Sequence, residues 1–357
     1  DGIFLTTEGN PEHVGALDNA VCDAAHSNAC ELDGAWDVKV RGDYAYITGN
    51  SDDGLEIVDI SDPANPTHVG SITDDGTTAL DGAWDVVLVG NYAYVSSATD
   101  DGIEVLDISD PTDPKHVAAI TDDATTELNG ARGMVVVGNY AYVAGNADSG
   151  VSIVDISDPT NPTHVGAIND TGSTSLGGAQ DIAVRGDYAY VAAHNEDSVS
   201  ILDISDPTNP VEVGSITDDG TTALNGPLGI AIDGTYAYVA ARDDDGVEIL
   251  DISDPTNPTH VAAITDAGSR ELDGPYEIAV AGDYLYVTAF DDFGVEVIDV
   301  SDPTSPTHVG AIDDDGTTEL NGARGIAVVG NYAYVGGGFD DGLSILELSG
   351  TRTPTLE

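Results

Sequence analysis

Basic residues are nearly missing from this chain: 9 Lys and Arg stand against 65 Asp and Glu, a formal net charge of −56. No basic face able to track phosphates can be assembled from so few cations, which excludes nucleic acid as a partner. Long apolar runs are absent too, so no membrane insertion is expected from this chain. No window carries apolar residues at helical spacing for three turns, which excludes a helical fold. Cysteine occurs twice, at Cys22 and Cys30, too few for a disulfide-built scaffold and without a CxxC or histidine pattern for zinc. No DxDxDG loop with a distal Glu is present, so no dedicated calcium site, no other metal site and no cofactor is expected. Asp-rich loops leave room only for adventitious Ca2+ or Na+.

The acid excess has a physical consequence. Self-repulsion at −56 destabilises a compact state in dilute buffer. At molar salt the Debye length falls to about 3 Å and most of that repulsion disappears. With only two lysines, Lys39 and Lys115, the balance is that of a protein made for brine. The competing reading is a secreted protein laden with calcium, since Asp clusters also suit hard cations.

The cysteines lie within an insertion spanning residues 19–31, DNAVCDAAHSNACELDG in its setting, which no other part of the chain repeats. Their closeness points to a local disulfide and an oxidising compartment outside the cell. By the chain-entropy argument such a short loop contributes about 2.6 kcal/mol. The chain opens at Asp1 with no signal peptide, as a mature or trimmed chain would. Residues 351–357 read as a tail, with Thr351 to Thr355 starting a Thr/Pro-rich linker and Leu356–Glu357 a cloning scar.

What the chain does have is repetition. The phrase VDISDPANPTHVGSI at 58–72 returns as LDISDPTDPKHVAAI at 106–120 and VDISDPTNPTHVGAI at 154–168. Its leading Asp falls at Asp59, Asp107, Asp155, Asp203, Asp251 and Asp299, and the next step of 48 lands on Glu347. DGAWDV at 33 recurs in register as far as NGARGI at 321, giving seven units from Asp33 to Leu348 without an insertion. A fixed period of this size marks a solenoid, a propeller or an array.

Within a unit the apolar residues alternate as in strands. Asp37 to Val40, Tyr44 to Thr48, Leu55 to Ile60 and His68 to Ile72 are separated by Gly-Asp, Asp-Gly and Ser-Asp-Pro turn clusters. Four short antiparallel strands in such a unit form a propeller blade. Residues 12–17 match the last strand of a unit, while the seventh unit stops after its third. The N-terminal strand therefore joins the last blade and closes the ring, leaving no free edge at the seam. The expected fold is all-β: one seven-bladed β-propeller over residues 1–350, with four antiparallel strands per blade.

The phrases LEIVDISDPANPTHVG and VSIVDISDPTNPTHVG closely resemble the LVIVD repeat of archaeal and bacterial surface proteins, across about 335 residues. The resemblance implies a propeller and an extracytoplasmic setting. That family carries no established catalytic motif, so it implies no site residue here.

Comparison of the units with one another separates scaffold from candidate site. The Tyr-x-Tyr pair (Tyr44 and Tyr46 in the first unit) recurs everywhere and is packing. Val38, Val86, Met134, Ile182, Ile230, Ile278 and Ile326 are core. The histidines His13, His68, His116, His164, His260 and His308 fall one per blade, too dispersed for a metal cluster, and are structural.

Two columns vary. One opens the first strand: Trp36, Trp84, Arg132, Gln180, Leu228, Tyr276 and Arg324, followed by Asp37, Asp85, Gly133, Asp181, Gly229, Glu277 and Gly325. The other lies between the second and third strands: Asn50, Ala98, Asn146, His194, Arg242, Phe290 and Gly338. In an up-down blade both emerge on one face, so they are expected to surround one mouth of the central channel together with the Cys22–Cys30 loop. Trp36, Trp84 and Tyr276 would offer stacking surface, and Arg132 and Arg324 would pair with anionic or hydroxyl groups. The mouth thereby suits a glycan, a peptide or a surface protein. Variation at the mouth could equally be mere tolerance, and paired carboxylates such as Asp37 and Asp85 could serve as acid and base in glycoside cleavage. A purely structural surface-layer unit is the third alternative. The expectation taken forward is a monomeric, secreted or cell-surface propeller of a high-salt organism, acting as a binding or adhesion module.

Overall fold

The computed structural model describes residues 10–20, 22, 30–123, 125–266 and 272–348. The tail at 351–357 and most of the 19–31 insertion lie outside the described residues. Among the described residues the strands form seven four-stranded antiparallel sheets, one per blade. Blade 1 runs β2 (Ala35–Arg41), β3 (Tyr44–Gly49), β4 (Gly54–Asp59) and β5 (Thr67–Thr73), paired in that order. Strands β6 to β25 repeat this plan through blades 2 to 6. Blade 7 combines β26 (Ala323–Val329), β27 (Tyr332–Gly337) and β28 (Gly342–Glu347) with the N-terminal β1 (Glu12–Asp18). Pairing of Glu12 with Glu347 through to Asp18 with Gly342 closes the ring, one residue longer than the sequence suggests.

The turns explain why the chain folds back where it does. Gly42 takes φ 63 in the tight turn from β2 to β3, a conformation costly for any residue with a Cβ. At the Ser-Asp-Pro corners the side chain accepts from the backbone two residues on, as Asp110 Oδ1 does from Thr112 N at 3.1 Å.

The core lies between blades rather than within them. Tyr46, Leu55 and Ile57 of blade 1 pack on Leu80, Ala83, Val86 and Val95 of blade 2, and this interface recurs around the ring. Fully burying each such side chain contributes roughly 1.5–3 kcal/mol. At the seam Tyr334, Leu343 and Ile345 of blade 7 meet Val38, Ile47 and Val58 of blade 1, with Leu17 of β1 and the Cys22–Cys30 disulfide in the same cluster.

The histidine column is scaffold. His68 Nδ1 lies 2.6 Å from Oε1 of the fully buried Glu56, and His116 and His260 reach Glu104 and Glu248 at 2.5 Å. His308 pairs with Glu296 in the same way. The second oxygen accepts from the loop that enters the blade, as Glu104 Oε2 does from Ala79 N at 2.9 Å. In blade 4 the carboxylate comes from the other strand: Ser200 Oγ donates to Glu212, which stands where the other blades have histidine.

Candidate functional site

Every first strand begins with a β-bulge, between Ala35 and Val38 in blade 1 and at the equivalent residues elsewhere. A bulge re-aims side chains, and the residues it displaces are the Trp36 and Asp37 columns, which line the central channel. The structure separates them into two layers.

The outer layer encloses a cavity of about 290 Å3 lined by Trp36, Trp84, Arg132, Gln180, His194, Leu228, Arg242, Tyr276, Phe290 and Arg324. Both variable columns therefore do meet at one mouth. Their side chains, however, largely fill it. The Trp36 and Trp84 ring centroids are 4.1 Å apart. The Arg324 guanidinium lies 3.6 Å from the centroid of Trp36, and that of Arg132 lies 4.3 Å from Trp84. The result is a stack in the order Arg324, Trp36, Trp84, Arg132, drawn from four consecutive blades. Tyr276 meets Trp36 edge-on at 6.0 Å. The expectation of free stacking surface on the tryptophans is corrected: each indole has its faces taken by its neighbours.

Arg132 donates through Nη1 to Gln180 Oε1, and the more exposed Arg242 donates to Asp291 Oδ2 at 3.3 Å. Among the described residues, Trp36 Nε1, Arg132 Nε and Arg324 Nε are buried without a hydrogen-bond partner. Buried polar atoms are rarely left so. Burial pulls both guanidinium pKa values down. It also pushes the Tyr276 hydroxyl up to about 12 against the opposing arginines, so it stays protonated.

Beneath this layer a second cavity of about 360 Å3 holds Asp37, Asp85, Asp181, Glu277 and Lys39. The four acids are thus one layer inside the channel and not around the mouth, a second correction. Three of them tie blades together: Asp37 accepts from Val86 N at 3.2 Å, Asp85 from Met134 N at 2.6 Å, and Asp181 from Ile230 N at 2.9 Å. Glu277 accepts from Ile278 N in its own blade at 3.1 Å. The glycines of the column follow from this crowding. A Cβ on Gly133 would lie 2.5 Å from Asp181 Oδ1, and one on Gly325 would lie 2.5 Å from the Cα of Asp37. Side chains cannot follow one another around the ring, except between blades 1 and 2.

At that one place Lys39 intervenes. Its ammonium lies 2.8 Å from Asp37 and 3.6 Å from Asp85. Burial alone would depress the Lys39 pKa, yet Asp37, Asp85 and Glu277 outweigh it and raise it. Burial likewise acts to raise Asp37, but Lys39, a hydrogen bond from Asp85 and the Val86 N–H hold it below the ordinary value. Asp85 is driven well above that value by burial and by Asp37, against Lys39. Folding therefore favours the protonated form of Asp85. Glu277 is also pushed well up by burial and by Asp181, and burial raises Asp181 itself. Asp37 and Asp85 share one ammonium, Lys39, at 2.8 and 3.6 Å, and each accepts from the first strand of the next blade.

Cys22 and Cys30 are bonded to each other. Their sulfurs lie beside Glu56 of β4 and His68 of β5, in the outer half of blade 1, away from the residues lining the mouth. With both sulfurs in the disulfide, that group offers no thiolate to a metal.

Three residues of this region are not singled out by the sequence reading. Lys39 falls in a column otherwise Val or Ala, and Phe339 in one otherwise Ser, Thr, Ala, Asn or Asp. Phe293 stands where other units have Asp or Ser. The comparison between units, extended to every column, exposes all three.

The fold and channel define a seven-bladed β-propeller with a plugged, polar axis. The LVIVD repeat signature matches residues 34–74, 82–122, 130–170, 176–218, 228–266, 276–314 and 322–357, and the chain belongs to the LVIVD-repeat family. No curated protein matches the sequence. Among solved structures it is similar to virginiamycin B lyase from Staphylococcus aureus, at 11% identity and TM-score 0.66 over 93% of this chain and 98% of that one. It is similar to hydrazine synthase from Kuenenia stuttgartiensis at 14% identity and TM-score 0.66, over 90% and 98% of the two chains. The computationally designed protein Ika8 matches at 9% identity and TM-score 0.61, over 94% and 99%. Two unrelated enzymes and a design share the architecture, so the likeness carries fold and not activity.

Proposed function

We propose that this chain is a salt-adapted propeller of a secreted or cell-surface protein, binding an anionic or hydroxyl-rich ligand through the arginine-bearing mouth. The observation that carries this reading is the set of buried, unpartnered donors there: Trp36 Nε1, Arg132 Nε and Arg324 Nε. A ligand supplying acceptors satisfies them, and burying donors without acceptors is unfavourable by about 1–3 kcal/mol each. Three of the chain's seven arginines line this one cavity, in a protein otherwise overwhelmingly acidic. The disulfide supports an extracytoplasmic location, the setting that the family resemblance implies.

A binding role is favoured over hydrolysis because the channel carboxylates are engaged with backbone donors and with Lys39. The test is calorimetric titration in molar NaCl with two probes, an oligogalacturonate and an acidic peptide, against the parent and Arg242→Ala. Binding to the parent that weakens at least tenfold in Arg242→Ala supports the reading. No binding of either probe, or equal binding to both proteins, overturns it.

A further inference from the structure

Three of the four phenylalanines in this chain, Phe290, Phe293 and Phe339, occupy the turns between second and third strands of blades 6 and 7. Phe290 and Phe339 are 5.0 Å apart with planes inclined by 58°, and both lie beside the Arg324 guanidinium, at 5.0 and 5.7 Å. Arg242 lies 5.4 Å from the Phe290 ring. Phe339 is 56% exposed and Phe293 41%, the first the most exposed of the large apolar side chains among the described residues.

Phe293 is costly to the fold. Its φ is 59, in the left-handed region that is an outlier for a bulky residue. The equivalent Asp53, Asp101, Asp197, Asp245 and Asp341 take the same backbone more easily and use it. Each accepts from the glycine that opens the next blade, as Asp53 Oδ1 does from Gly82 N at 2.9 Å. Even Ser149 accepts from Gly178 N, at 3.2 Å. A phenyl ring has no acceptor to offer Gly322, so blade 6 gives up the cap and keeps the strain. Strain retained where the repeat supplies an easier residue points to a role outside the fold.

We propose that blades 6 and 7 form a docking surface for a polypeptide segment carrying an aliphatic or aromatic side chain next to a carboxylate. This rests on the mouth being a binding site and names its partner class. The apolar side chain lies over the exposed face of Phe339, and the carboxylate reaches Arg242 and Arg324. The exposed rings here, Phe339 and Phe293, are phenyl groups without a polar edge, whereas the indoles that would suit a sugar are covered by guanidinium groups. Local charge agrees, since arginine flanks this patch within an acidic surface.

The test uses two synthetic 12-residue peptides, one alternating Leu or Phe with Asp and one with Ser at the apolar positions, together with an oligogalacturonate. Each is titrated in molar NaCl against the parent, Phe339→Ser and Phe293→Asp. The expected result is binding of the apolar peptide alone, at least tenfold weaker in both variants. In addition Phe293→Asp melts higher than the parent, because it regains the Gly322 cap, so its lost binding cannot be misfolding. Equal binding of that peptide by parent and variants, equal binding of the Ser peptide, or binding of the oligogalacturonate alone overturns the proposal while leaving the mouth as a binding site. If no probe binds the parent, both the proposal and the reading of the mouth fail.

Discussion

Trp36 and Trp84, from adjacent blades, stand with ring centroids 4.1 Å apart, and each is covered on its far side by an arginine. The stack joins blades 7, 1, 2 and 3 at the point where the channel opens, so it acts as a rivet as well as a plug. Removing Trp84 breaks one aromatic pair, worth roughly 0.5–1.5 kcal/mol beyond area, and one cation–π contact of roughly 0.5–1 kcal/mol. Trp84→Ala is accordingly expected to lose about 1–3 kcal/mol in denaturant melts. Trp36→Ala and the double variant complete a cycle: coupling of at least 0.5 kcal/mol is expected, and strict additivity would show that the stack has no energetic reality.

The presence of Arg, Gln, Leu or Tyr at the Trp84 position of sister blades would by itself suggest little effect on stability. Comparing repeats shows which positions the blade does not dictate, and all ten residues of the mouth cavity fall in the two variable columns. It does not show what the side chains do to one another once converged. Trp36 and Trp84 read as separate platforms because their contact lies between blades, across 48 residues. The depth of Asp37 and Asp85 was hidden for a related reason: the bulge that turns them inward leaves no mark in an alternating pattern. Strand order, closure and core were legible because each depends on period-2 burial and on turn residues, both local. Lys39 shows the limit best, since only proximity to two acids of different blades makes it more than an odd member of a small-residue column.

The carboxylate layer predicts a pH effect. Asp85 has its pKa raised in the folded state, so its protonated form is favoured by folding. Such a group favours the fold fully below its unfolded pKa near 3.9, and the contribution is lost as pH rises through the higher folded value. Asp85→Asn keeps a donor for Asp37 and removes the titration, so its melting temperature should fall less than the parent's between pH 5 and pH 8. Asp37 has the opposite sign: its depressed pKa gives stability present above about pH 4 and lost in acid. Asp37→Ala leaves Lys39 without its nearest partner and should cost about 1–3 kcal/mol at pH 7. A parent-like pH profile in Asp85→Asn would refute the raised pKa of Asp85.

Salt should act on the whole molecule. With a net charge of −56, melting temperature is expected to rise steeply from low to molar NaCl in metal-free buffer. A profile flat in NaCl but restored by micromolar calcium would instead identify the acidic loops as cation sites. One residue should report on the repulsion locally. Burial and the nearby Asp340, Asp18, Asp314 and Asp341 push Glu319 up to about 7. A raised acid is stabilising when protonated, so stability from this group falls as pH passes from 5 through 7. Glu319→Gln should therefore melt higher than the parent at pH 8 in low salt, with the difference shrinking at pH 5 and at molar salt.

Closure of the ring supplies the last expectation. β1 pairs along the full length of β28 and carries Leu17 into the cluster that joins blades 7 and 1. It also seals the neighbouring blade: the site of a Cβ on Gly15 is only 2.3 Å from the Pro63 carbonyl oxygen, so the chain passes too close there for any side chain. Deleting residues 1–18 would expose β28 as an unpaired edge and open the seam at once. Because each interblade core depends on its neighbours, loosening one should spread through a closed ring more readily than through an open array. The truncated chain is expected to aggregate or to melt in a broader, earlier transition, followed by light scattering and circular dichroism. A synthetic peptide of residues 10–18 added in excess should partly restore the transition by pairing with β28. Melting of the truncated chain at the parent's temperature and with its cooperativity would show that six blades and three strands hold the ring by themselves.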